Sequence, residues 1–220
     1  MSATVEIRDG VGRIRMDDGK VNVLSKKMLD SVLGALEQVE AAKAIAVIEG
    51  RPGIFSAGFD LKTFQAGPEA SLGMVTAEIE TLVRILSFPM PVVTVCAGHA
   101  YPAGAFFLLC SDVRFGVEGD FRIGLNETAI GLVLPEWALA VARHRLVVPA
   151  QIAVHTGRMY GPREAVAAGY LDYVAPSAEI GSVVDAEIAR LKKLDFKAFA
   201  EVKRRLNRHV IAAIREAGVA

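Results

Sequence analysis

The sequence predicts an α/β protein with layered sheets. Three observations lead there. Two continuous apolar runs of strand length, Ala44 to Ile48 and Pro91 to Cys96, suit strands buried on both faces. Helical patterns separate and follow them, and strands alternating with helices indicate sheets covered by helical layers. An alternating pair of segments at the amino terminus adds a hairpin.

Taken in order, Thr4 to Arg8 and Val11 to Met16 alternate apolar and polar residues across Asp9-Gly10, a turn pair suited to positive φ. Ser25 is placed to cap a helix to about Ala42, with Met28, Leu29, Val32, Leu36 and Val39 on its apolar face. Gly50 to Gly58 reads as a glycine-rich loop, Asp60 opens a short helical turn, and Ser71 to Ser87 reads as a longer helix. After the second buried strand, Gly98 to Gly104 reads as a turn and Ala105 to Cys110 as a very apolar helix. Val113 to Val117 and Phe121 to Ile123 read as strands. From Pro135 the chain reads as helical apart from Leu171 to Val174, ending in an amphipathic helix from about Phe196. No internal repeat or linker-like tract is visible.

Composition narrows the function. The 220 residues suit one domain with a sizeable core, and 52% are hydrophobic. Lysine plus arginine equals aspartate plus glutamate, 25 against 25, which leaves no positive excess for a nucleic-acid footprint. Cys96 and Cys110 lie inside apolar runs and read as buried small hydrophobes in a reducing compartment. No secretory leader pattern opens the chain and no run approaches membrane-spanning length, so the expectation is a cytoplasmic protein with no membrane partner.

Common cofactor motifs fail on context. Gly10-Val11-Gly12 begins like a dinucleotide fingerprint, but it lacks the third glycine and lies in a hairpin. His99, His144, His155 and His209 are scattered without ligand spacing, so no metal is expected. No nucleophile elbow of the Gly-x-Ser-x-Gly kind occurs.

Two small-residue stretches remain, Gly53 to Asp60 and Ala97 to Ala105. Each follows a buried strand and ends near a helix start, where backbone amides lack internal partners and carry the positive end of the helix dipole. Two such amides aimed at one carbonyl oxygen would stabilise an enolate. Read from composition alone, the same stretches are equally ordinary tight turns.

These segments resemble the crotonase, or enoyl-CoA hydratase/isomerase, family. Phe55-Ser56-Ala57-Gly58-Phe59-Asp60-Leu61 is similar to its first oxyanion loop. Ala97-Gly98-His99-Ala100-Tyr101-Pro102-Ala103-Gly104-Ala105 with Leu109-Cys110-Ser111-Asp112 is similar to its second. Ile123-Gly124-Leu125-Asn126-Glu127-Thr128-Ala129-Ile130-Gly131 resembles the catalytic-glutamate segment of Δ3,Δ2-enoyl-CoA isomerases. Gly157-Arg158 and Glu164 to Asp172 match a further segment.

The resemblance implies a spiral of stacked strand-strand-helix units, a homotrimer or dimer of trimers, and an acyl-CoA substrate with no cofactor beyond the coenzyme A it carries. It implies oxyanion amides from Ala57 and Ala103. Lys20, Val21, Val23, Phe59, Asp60, Leu61 and Lys62 would run along the CoA, with Lys20 or Lys62 near its phosphates. Family hydratases carry two glutamates, and the position of the first is Phe106 here, while isomerases keep only the one matching Glu127. Family members usually continue for several further helices. Residues 1–194 are therefore expected as a crotonase-like core and 195–220 as a C-terminal helix, a shortened helical region that leaves acyl-pocket closure open.

The expected chemistry is an allylic shift of a 3-enoyl-CoA to a trans-2-enoyl-CoA, with Glu127 as sole acid and base. Phe106, Leu132, Val133 and Trp137 are expected to keep its surroundings dry. Glu136 after Pro135 reads as a helix-start surface acid, Asp112 as a turn residue, and His99 and Tyr101 as packing or hydrogen-bonding residues near the second loop. Hydratase, hydrolase or decarboxylase chemistry on the same scaffold, and a non-catalytic CoA-binding or assembly subunit, stay open as alternatives.

Overall fold

The computed structural model describes residues 2–217. It begins with the expected hairpin, β1 (Ala3–Arg8) and β2 (Val11–Met16), in antiparallel register with Arg8 opposite Val11. Its turn residues Asp9 and Gly10 have φ of 50° and 72°, as the two-residue connection requires. β3 (Val23–Leu24) leads into α1 (Lys26–Ala41), capped by Ser25 Oγ, which accepts from the Met28 N–H. The apolar face of α1 is buried as its periodicity predicts.

The chain then alternates between two main sheets and a helical layer. β4 (Ile45–Glu49), β5 (Gly53–Ser56) and β6 (Gly58–Phe59) precede α2 (Leu61–Gln65) and α3 (Pro68–Ser87). β7 (Val92–Cys96) and β8 (Gly98–Ala100) precede α4 (Pro102–Cys110). β9 (Val113–Val117) and β10 (Ile123–Gly124) precede a 3-10 turn, Glu127–Ile130, and α5 (Glu136–Arg145). The rest comprises α6 (Val148–Ala153), a 3-10 turn Val154–Thr156, β11 (Met159–Tyr160), α7 (Pro162–Ala168), β12 (Tyr173–Ala175), α8 (Ile180–Leu191) and α9 (Phe196–Ala217).

Each of the three middle units gives one strand to a six-stranded sheet of order β1-β2-β4-β7-β9-β12. The next strand goes to a four-stranded sheet of order β11-β10-β8-β5, and β3 pairs with β6 in a separate two-stranded sheet. From β2 onward the larger sheet is parallel. Such a sheet needs cover on both faces. One core cluster, under α1, α3, α4 and α5, covers one side, and a smaller one built from Ile45, Val47, Val93, Val95, Phe115, Val184 and Ile188 lies under α8.

Several readings of the sequence need correction: the turn expected from Gly98 contains β8, the helix expected from Ser71 starts at Pro68, and the strand expected over Leu171 to Val174 is β12 at Tyr173–Ala175. In addition, the glycine-rich stretch Gly50 to Gly58 is not a plain loop, since it contains β5 and the start of β6. Its glycines admit a close strand crossing: a Cβ on Gly98 would fall inside the contact shell of the Gly53 carbonyl carbon. Helix α4 starts at Pro102, three residues before the expected start, because proline fits the first helical position. The strand expected from Phe121 begins only at Ile123, and β11 was not expected at all. The expected C-terminal helix is present as α9, and residues 218–220 of that segment lie outside the described residues.

Candidate active site

The site is built from the ends of these units. Ala57, Gly58 and Phe59 follow β5, and Tyr101, Pro102, Ala103 and Phe106 surround the start of α4. Asn126 and Glu127 follow β10, and Leu132 to Ala138 approach and enter α5. Together with residues of α2 and α3, they line one cavity of about 580 Å³.

Glu127 is the one acidic side chain in that wall among the described residues. It is 9% exposed, and its Oε2 is buried with no hydrogen-bond partner. Burial pushes its carboxyl up to about 7, partly offset by its own backbone N–H. An isolated carboxylate in an apolar wall is a stronger base than one in water, because desolvation disfavours the charge it carries. The adjacent wall is aromatic, with Phe106 and Trp137 centroids 5.3 Å apart and both side chains buried.

On the opposite arm, Ala103 is fully buried in the first turn of α4. Its N–H has no carbonyl one turn back inside the helix, and no backbone bond among the described residues uses it. Gly58, at φ 85°, faces it: a Cβ there would lie 3.7 Å from the amide nitrogens of Pro102 and Ala103. The two arms therefore meet backbone to backbone.

The expectation for Ala57 is overturned in one respect. Its N–H donates to the Val21 carbonyl at 2.9 Å, so it is not available to a ligand oxygen. The Gly58 N–H donates to Ser56 Oγ at 3.1 Å. The next backbone donor along the loop belongs to Phe59.

Of the other expected residues, Phe59, Leu61, Phe106, Leu132 and Trp137 line the cavity, whereas Lys20, Val21, Val23, Asp60 and Lys62 do not. Lys20, Val21 and Lys62 are exposed outside it. Asp60 caps α2, accepting from Lys62 N–H at 3.1 Å. Val133 touches the cavity but is 91% exposed, so it forms the rim and cannot dry the interior. Glu136 is a surface acid near Arg143, as expected. Asp112 accepts from Val92 N–H at 2.8 Å and from Lys203 Nζ at 2.6 Å, a structural tie.

Sequence reasoning missed Phe64, Val75, Asn126 and Ile130 as wall residues. Phe64 was legible in principle, being three residues after Leu61 on the same helical face.

The model of the family described as enoyl-CoA hydratase/isomerase matches residues 6–218. The chain belongs to the enoyl-CoA hydratase/isomerase family. Among curated relatives of this family, the human protein named enoyl-CoA delta isomerase 1, mitochondrial, is 30% identical over 191 residues, which cover 82% of this chain and 62% of that one. The chain thus spans about three-fifths of that relative's length.

Among solved family members, one from Pseudomonas syringae, titled an enoyl-CoA hydratase/isomerase family protein, superposes with a TM-score of 0.96 at 35% identity. The match covers 98% of this chain and 94% of that one. An enoyl-CoA hydratase from Mycobacterium marinum gives 0.93 at 32% identity, covering 98% and 96%. The stacked strand-strand-helix units are those of the family fold. No helix among the described residues is long and apolar enough to cross a membrane.

Proposed function

We propose that the protein isomerises 3-enoyl-CoA thioesters to trans-2-enoyl-CoA with Glu127 as the single acid and base. The observation that carries this reading is the lone carboxyl in a largely apolar wall, with Phe106 at the position that the family resemblance gives to the hydratases' other glutamate. The backbone amides of Ala103 and Phe59 receive the thioester oxygen, Phe59 taking the role first expected of Ala57. Glu127 removes a proton from the carbon next to the thioester, leaving a dienolate whose negative charge rests on that oxygen. The carboxylic acid then returns the proton two carbons along, which moves the double bond and restores the carboxylate.

The same reading includes a homotrimer or dimer of trimers, no nucleic-acid partner, no bound metal, and the cytoplasm as its compartment. Both cysteines are free and buried, which accords with a reducing setting, although relatives include proteins named mitochondrial and peroxisomal. Lys20 and Lys62 remain proposed contacts to CoA phosphates outside the cavity itself.

Incubation with 3-hexenoyl-CoA should yield trans-2-hexenoyl-CoA, whereas crotonyl-CoA should gain little water. Glu127→Gln should slow the isomerisation by roughly two to four orders of magnitude. Rapid hydration of crotonyl-CoA would favour the hydratase reading, for which relatives named as hydratases also stand. An unimpaired Glu127→Gln enzyme would remove Glu127 from the chemistry.

A further inference from the structure

We propose that Ser56 is a positioning residue that sets the distance between the two backbone arms of the oxyanion site; this rests on the thioester reading above. Ser56 is fully buried at the end of β5 and is not part of the cavity wall. Its Oγ donates to the Asn22 carbonyl at 2.7 Å and accepts from the Gly58 N–H at 3.1 Å. Its own carbonyl accepts from the Tyr101 N–H at 2.9 Å, just before α4. Its Cβ occupies the space beside Gly104, where an added Cβ would come within 2.5 Å. One small side chain and its peptide thus touch both the Gly58–Phe59 arm and the first turn of α4.

The third contact anchors this hub to the main sheet. Asn22 is fully buried at φ 52°, and its Nδ2 donates to the carbonyls of Met16 at 2.9 Å and Phe55 at 3.3 Å. Its Oδ1 accepts from the Asp18 N–H at 3.1 Å. The loop between β2 and β3 is therefore tied at both ends, and Ser56 leans on a fixed point. Asparagine is one of the few residues other than glycine that adopt such a φ readily.

Why a hydroxyl matters here follows from how steeply oxyanion stabilisation depends on placement. Donors contribute fully only within hydrogen-bond reach of where the charge develops. A shift of about 1 Å remote from the chemistry costs up to about 100-fold in rate. Removing the Ser56 hydroxyl leaves the Gly58 N–H without its acceptor and frees that arm to turn. Affinity for the substrate changes little, while the polarisation of its carbonyl falls.

The test uses the full-length protein, Ser56→Ala, and hexanoyl-CoA carrying 13C at the thioester carbonyl, a ligand with no double bond to move. In the wild type, isotope-edited infrared spectra should show the carbonyl stretch lowered on binding. In Ser56→Ala that lowering should shrink, with kcat for 3-hexenoyl-CoA falling on the order of 10- to 100-fold and KM nearly unchanged. Should Ser56→Ala not fold, Asn22→Gly, which keeps the left-handed backbone accessible, should show the same two losses. A folded variant that retains the full lowering and the wild-type kcat overturns the proposal alone. A wild-type spectrum with no lowering overturns the oxyanion reading and the proposal with it.

Discussion

Glu127 has one carboxylate oxygen with no donor to hold it, in a mostly aromatic and aliphatic wall. Its raised carboxyl, at about 7, has two consequences of opposite sign. As a base it acts only when ionised, so kcat/KM should climb about tenfold per pH unit below 7 and level off above it. A rate that is flat from pH 5.5 to 8 would contradict this. For stability, the folded carboxyl holds its proton more tightly than the unfolded one. No penalty exists below the unfolded value of 4.5; stability falls as pH rises from there to about 7, and the loss is complete above it. Glu127→Gln should accordingly be more stable than wild type at pH 8, by at most about 3 kcal/mol in urea titrations. The glutamate was legible in the sequence because its segment has a recognisable neighbourhood. Ser56 was not, since a buried serine in a small-residue loop has no local signature; its partners come from segments 34 and 45 residues away in sequence, at Asn22 and Tyr101.

At the scale of elements, α9 is seated by polar contacts more specific than its amphipathic pattern suggests. Lys203 is 4% exposed and donates to Asp112, while Asn207 donates to the Leu86 carbonyl at 2.8 Å and contacts His144 Nε2 at 3.0 Å. Removing one partner of a buried ion pair strands the other, so Lys203→Ala should cost about 3 kcal/mol in chemical denaturation. Glu201→Ala, which breaks only exposed pairs to Arg204 and Arg205, should leave the midpoint where it was. The hairpin, α1, and the strands of the larger sheet were readable because their patterns are local. The members of the smaller sheet are two to four residues long and exist only through partners far along the chain, as when Gly53 pairs with Gly98. Nothing in a two-residue segment such as Met159–Tyr160 marks it as a strand.

For the whole molecule, large apolar side chains are exposed at several places among the described residues, and two groups lie close together in the chain. Ile130, Leu132 and Val133 sit at the cavity rim, and Val148 and Ile152 lie on α6. Where exposed side chains of this kind join into one apolar patch, another protein surface usually covers it. Sedimentation velocity should therefore give three or six times the chain mass; a lone monomer at micromolar concentration would count against the proposed assembly. The layered class was readable from strand and helix alternation, whereas the division of strands among three sheets was not. That division follows from which strand finds which neighbour in space. α4 adds a consequence of its own. From Ala103 to Cys110 every residue of this helix is buried, with no polar face to offer water. Detached from its surroundings it would be an insoluble peptide, so the donor at Ala103 cannot be in place before the shell that encloses it. Competence for the reaction and cooperative closure of the fold should then arrive together, and no half-open form of this protein should be an active one.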